Sequence, residues 1–377
     1  MALSKIDLSN MVENDLAAGS QPLTIIENKI NFRNIIINGD MSIAQRGTST
    51  ASITSSGYYS ADRMNTVISS LGTWTQSQST TVPSGQGFAK SLKMDCTTAD
   101  ASPSAGDFLY VRQKIEGQNL QYLKKGTSSA ESLTASFWVR SNKTGTYIVE
   151  LRDIDNNRTI SQSYTISAAD TWEKKTLTFA GDTSGAFDND NSDSLHLSFW
   201  LGGGTTYTSG TLQTSWGTKV DANRAVGQVN LADSTSNEWY VTGVQFEAGT
   251  SASDFEFLPV DVNLGRCQRY YQTIDTGIGH ETNVSSVAML QNGLPTEMRS
   301  VPSITILNTT ANVGTFGANN DASSPSITDN KSCTKIFCLQ YNHGVAFNGS
   351  SGENQILVYN DTTGGTVTKW FALSSEL

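Results

Sequence analysis

Between residue 33 and about residue 260 the chain falls into short stretches of alternating apolar and polar residues, separated by polar, glycine-bearing turns. Two of them share one frame: Ser132-Leu-Thr-Ala-Ser-Phe-Trp138 and Ser194-Leu-His-Leu-Ser-Phe-Trp200 both read S-L-x-x-S-F-W. A period of two sends successive side chains to opposite sides of a strand. Leu133, Ala135, Phe137 and Val139 therefore share a core face, as do Leu195, Leu197, Phe199 and Leu201. Similar stretches at 65–77, 88–95, 108–116, 146–152, 172–179 and 238–246 repeat the pattern, and no window keeps a helical period for more than about two turns. Regular short strands with Gly, Asn and Ser turns predict an all-β sandwich or barrel, best matched by a two-sheet jelly roll.

The segment Arg33 to Gly47, RNIIINGDMSIAQRG, reads as the opening strand of this body. Three isoleucines favour extended backbone, and Asn38-Gly39 suits a tight hairpin. Arg33, Asn34, Asn38, Gln45 and Arg46 are more polar than a core strand needs, so they are expected to hydrogen-bond across the joint with what precedes them.

Residues 1–31 scatter Leu3, Ile6, Leu8, Met11 and Val12 among polar residues with the period of neither a helix nor a strand. A segment that cannot bury its own apolar residues is expected to dock on another surface. The expected organisation is an N-terminal extended docking tail (1–31), a jelly-roll β-sandwich (32–260), a short helical linker (261–272) and a smaller C-terminal β domain (273–377). In the last, strands are expected at 286–291, 301–307, 334–340, 355–359 and 366–372, and 308–330 reads as exposed loops.

A net charge of -10 argues against nucleic acid as a partner, because duplex binders displace counterions with a basic stripe. The N-terminus has neither a basic-then-apolar leader nor a run near twenty apolar residues, so no membrane insertion is expected. Four scattered cysteines read as free thiols.

His196, His280 and His343 stand far apart, and no metalloprotease, phosphate-loop or nucleophile-elbow motif is present. Carboxylates cluster at Asp153 and Asp155 and at Asp182, Asp188, Asp190 and Asp193. Such loop acids usually cap turns, and no cofactor is expected. Structural calcium, which takes oxygen ligands from such loops, is the open alternative. Alternation places Thr134, Ser136, Trp138 and Arg140 beside His196, Ser198 and Trp200 on non-core faces. Trp138 and Trp200, with His196 and Arg140, are expected on one outer face. That face would meet a glycan or a neighbouring subunit, or be covered by the 202–227 loop.

The series RNIIINGDMSIAQRG, SADRM at 60–64, SLTASFWVRSNKTGTY at 132–147, AVGQVNLADSTSNEWYVTGVQFEAGTSASDFEFLP at 225–259 and GRCQRYYQ at 265–272 resembles bacteriophage tail fibre proteins. The ends, MALSKIDL and ALSSEL, are similar to those of such fibres. Met64 stands where that family often has Trp, so no contact is carried over there. The resemblance implies a jelly roll related to carbohydrate-binding modules followed by a distal β domain. It also implies a non-enzymatic virion component, made in the host cytoplasm, that assembles as a homotrimer. Its tail would join phage tail or adaptor proteins, and its body would adsorb to a bacterial surface glycan or lipopolysaccharide. A tail-associated polysaccharide depolymerase is the alternative and would need paired acids.

Overall fold

The computed structural model describes residues 32–274, 277–281, 287–306, 311–315, 318–322, 326–330, 336–342, 355–359 and 371–377. The expected docking residues Leu3, Ile6, Leu8, Met11 and Val12 lie outside them.

Two antiparallel sheets form the body. With strands numbered in chain order, one sheet runs β1 (Ser49–Ile53), β4 (Thr73–Ser79), β5 (Ser91–Thr98), β13 (Glu238–Ala248), β7 (Leu133–Ser141) and β10 (Glu173–Phe179). The other runs β12 (Gly217–Thr218), β9 (Arg158–Ile166), β8 (Gly145–Asp153), β11 (Asp193–Gly203), β6 (Phe108–Glu116), β3 (Asn65–Ser69) and β2 (Gly57–Tyr58). Successive strands repeatedly change sheet, as β5 to β6, β6 to β7 and β7 to β8 do, which gives the jelly roll. The expected core faces meet between the sheets: Phe137 packs edge-on against Phe199 with ring centroids 5.0 Å apart, and Trp74, Trp239 and Phe246 join them, fully buried.

Several expectations change in detail. The stretch 65–77 is two strands, β3 and β4, in opposite sheets, because Ser70 and Gly72 take positive φ and turn the chain across the sandwich. Strands β1 and β9 were not expected, since STASI and RTISQSYTI are too polar to show a clear alternation.

Arg33 to Gly47 is not a strand. Asn38 takes the predicted positive φ of 60°, but no hairpin follows. Ile35 N–H donates to the Phe246 carbonyl of β13 (2.8 Å), but the next two isoleucines are held by side chains: Ile36 N–H donates to Asn34 Oδ1 (3.0 Å) and Ile37 N–H to Gln113 Oε1 (2.7 Å). Gly39 lies so close to β13 that a Cβ there would sit 2.1 Å from the Val244 carbonyl oxygen.

Helix α1 (Thr205–Thr208) is one turn in the long connection after β11. Helix α2 (Val260–Gln268) falls where the helical linker was expected but stops four residues sooner, because Tyr271 and Gln272 belong to β14 (Tyr271–Ile274). That strand pairs with β23 (Phe371–Ser374), which pairs with β17 (Ser303–Ile306). A fourth sheet runs β19 (Ala318–Ala322), β18 (Ala311–Thr315), β22 (Gln355–Tyr359), β15 (Gly277–Glu281), β16 (Val287–Gly293), β21 (Ile336–Asn342) and β20 (Ser326–Asn330). Three of these strands occupy 311–330, where loops were expected: the residues are small and polar, but their neighbours supply the ladder. Among the described residues no helix is long and apolar enough to cross a membrane.

Candidate functional site

Trp138 and Trp200 do not share a face. Trp138 sits on β7 of the six-stranded sheet and Trp200 on β11 of the seven-stranded sheet, each pointing away from the common core. Alternation establishes which side of a strand a residue occupies, but not which sheet the strand joins.

Trp200 is fully buried. Its indole Nε1–H donates to Glu150 Oε2 (3.1 Å), and Arg224 donates to both oxygens of the same carboxylate (2.7 and 2.9 Å). The Arg224 guanidinium lies 4.9 Å from the Trp200 ring and close to Tyr110 and Tyr207. Tyr207 and Arg224 both come from the connection after β11, so the 202–227 loop covers this tryptophan. His196, on the same strand, is also buried. Its Nε2–H donates to Asp193 (2.8 Å), and Nδ1 accepts from Arg112 (3.1 Å). Burial, with Arg112 and Lys114 nearby, lowers its pKa to about 4 against the hydrogen bond to Asp193, so the ring is neutral near pH 7. Neither residue is free to meet a ligand.

Trp138 is different. It is half-buried and lines a depression of about 240 Å³ on the outside of the six-stranded sheet. Three phenylalanines form one wall: Phe88, Phe255 and Phe257 lie with ring centroids 4.8 to 5.1 Å apart, and Phe257 is 51% exposed. A bulge in β13 makes room for them. Gly243 takes φ +61°, and a Cβ there would sit 2.5 Å from the Phe88 ring. Lys174 of β10 stands in register opposite Trp138 and is exposed, and it makes no ion pair among the described residues. Its neighbour Lys175 is held by Glu173 at 2.5 Å. Gln86, Ser136 and Asp254 complete the polar lining.

Arg140, two residues along β7, is engaged in a separate network. It donates to Glu238 (3.0 Å) and Asp170 (2.8 Å) and lies over the Tyr240 ring. Of the four residues expected together, the structure thus leaves only Trp138 open to a ligand. The phenylalanine wall had no signal in any single strand, because Phe88 and Phe255 are brought together across 167 positions by the fold.

The polar residues of the opening segment all hydrogen-bond, and their partners lie within the described body. Arg33 donates to Ser253 Oγ and the Asp254 carbonyl, both at 2.6 Å. Asn34 donates to the Val244 carbonyl and accepts from Phe246 N–H. Asn38 donates to the carbonyls of Ile43 and Asp62. Gln45 bridges Asp62 and the Tyr271 carbonyl, while Arg46 reaches Glu376 at 3.2 Å with its guanidinium 3.6 Å from the Tyr271 ring. The side of the expected joint that residues 1–31 would form lies outside the described residues.

The two acidic clusters are adjacent in space. Lys125, buried, places its ammonium 2.6 Å from Asp153 and 3.1 Å from Asp182, with the carbonyls of Ser184 and Gly185 at 2.9 and 2.6 Å. Arg158 forms two further bonds to Asp182. Asp155 accepts from the Asp188 N–H of the second cluster (2.9 Å), and Asp190 from the Ser192 N–H of its own turn (2.8 Å). Among the described residues no group of three or more His, Cys, Asp or Glu side chains is arranged around a metal position.

An aromatic wall beside polar donors and acceptors is what a sugar ring requires: its C–H faces pack on π-surfaces and its hydroxyls take hydrogen bonds. Hydrolysis would need two carboxyls facing one another, and Asp254 is the one acid in the lining.

No protein-family model matches the chain, and no curated protein matches it. Solved structures that it is similar to include the enzymatically active domain of tailspike protein 4 of bacteriophage CBA120, at 13% identity and a TM-score of 0.31. That match covers 57% of this chain and 21% of the tailspike chain. TmCBM61 in complex with β-1,4-galactotriose matches at 9% identity and a TM-score of 0.28, covering 57% of this chain and 99% of that one. The family 11 carbohydrate-binding module from Clostridium thermocellum, solved with a mixed-linked tetrasaccharide, matches at 12% identity and a TM-score of 0.26, covering 54% and 98%.

Proposed function

We propose that the chain is a phage tail fibre, a structural virion protein that joins the tail through residues 1–31 and adsorbs to a bacterial surface glycan. The observation that carries the binding reading is the depression in which half-buried Trp138 and the Phe88, Phe255 and Phe257 wall stand beside an unpaired Lys174. The resemblance of 33–47, 60–64, 132–147, 225–259 and 265–272 to tail fibres supports the virion role. Assembly as a homotrimer suits a shallow site: a millimolar contact gives only about -4 kcal/mol, while linking copies raises avidity by roughly 10² to 10⁴. A depolymerase reading lacks a second acid at the depression.

The test is adsorption of the purified chain to host cells and to their extracted surface glycan, with Trp138→Ala and Phe257→Ser beside the unaltered protein. Both variants should retain their melting temperature and lose binding. Undiminished binding would reject this site, and release of oligosaccharide fragments from the glycan would replace the fibre with an enzyme.

A further inference from the structure

A second cavity, of about 360 Å³, opens where β6 ends, between that strand, residues 32–37, the turns after β6 and α2. Although the chain is acidic overall, this cleft is lined by three cations, Lys114, Arg266 and Arg269, and one carboxylate, Glu116. Glu116 is already committed, because Arg269 donates to both of its oxygens (2.9 and 2.8 Å). Lys114 has Asp193 at 3.3 Å.

Among the described residues Arg266 has no such partner. Its Nη1 is buried without a hydrogen bond, and Nη2 reaches only the Asn34 carbonyl at 3.4 Å. Burial without a paired acid holds this guanidinium below the usual arginine range. A half-buried cation with an idle, buried donor is costly, and groups left in that condition cluster at binding sites. The planar fork of N–H donors matches a carboxylate or phosphate. At the rim, Phe32 and Tyr122 are 62% and 50% exposed, which gives the cleft an apolar mouth.

We propose that this cleft binds a sugar carrying an oxyanion, with the anionic group against the N–H edge of Arg266 that lines the cleft and the ring against Phe32 and Tyr122. The site is separate from the Trp138 depression and does not depend on it.

Calorimetric titration of the full chain with glucuronate, glucose and inorganic phosphate tests this. Glucuronate should bind saturably, and glucose at least tenfold more weakly. Arg266→Gln should weaken glucuronate at least tenfold, and Arg266→Lys, which keeps the charge but loses the fork, should fall between. Phe32→Ser, at an exposed position, keeps the test alive if the arginine variants fold poorly and should also weaken glucuronate. Glucuronate binding that is lost in Trp138→Ala and kept in Arg266→Gln would place the sugar at the other depression and overturn the proposal. Equal binding of glucose and glucuronate, equal binding of phosphate and glucuronate, or indifference to both Arg266→Gln and Phe32→Ser would each overturn the proposal.

Discussion

Arg63 and Glu376, 313 positions apart, form an ion pair in which the arginine side chain is wholly buried. The same guanidinium donates to the Lys114 carbonyl and lies 3.5 Å from the Tyr270 ring centre. The C-terminal segment therefore completes the charge balance of a buried residue in the turn before β3. Glu376→Ala leaves Arg63 buried without its acid, and breaking such a pair typically costs about 3–5 kcal/mol. A large drop in the denaturant midpoint is expected for this variant, and an unchanged midpoint would show that the pair contributes nothing.

Lys125 does the work of a structural cation. Two carboxylates and two carbonyls surround its ammonium, the kind of oxygen shell that calcium also takes. Chelators should leave the melting temperature of the unaltered protein unchanged. Lys125→Ala leaves buried Asp153 without its cation, while Asp182 keeps Arg158, with an expected loss of about 3–5 kcal/mol. Millimolar calcium should restore part of that loss in the variant alone, as read by thermal melts with and without the ion.

The two tryptophans of the shared frame should separate by phenotype. Trp200→Phe removes the donor to buried Glu150 and should cost about 1–3 kcal/mol without changing glycan adsorption. Trp138→Ala should do the reverse. Parallel melts and adsorption assays on both variants decide the assignment, and a Trp200 variant that folds normally but fails to adsorb would reverse it.

His196 supplies a pH dependence of defined sign. Its folded pKa of about 4 lies below the unfolded value near 6.5, so the native state binds fewer protons. The stability it contributes is complete above about pH 6.5 and is lost as pH falls toward 4. Asp193 adds to this at lower pH: burial raises its carboxyl, but the bonds from His196 and Lys114 outweigh that and hold it below the usual range. Denaturant midpoints measured from pH 7 to pH 4 should fall, and His196→Gln should flatten that fall.

Period-two alternation, punctuated by Gly, Asn and Ser turns, determined that the chain builds a β-sandwich, and it assigned Leu133, Phe137, Leu195 and Phe199 to the core, because side-chain direction in a strand is a local property. It also marked Trp138 as outward. Which sheet each strand joins is set by contacts between distant positions, so only the tertiary structure separated Trp138 from Trp200 and covered one of them with Arg224 and Tyr207. The same holds for the phenylalanine wall, for Lys125 between two acidic clusters and for Arg266 left without an acid. Each is a meeting of residues from separate strands or loops, and the strength of a charge or a ring depends on neighbours that sequence spacing does not specify.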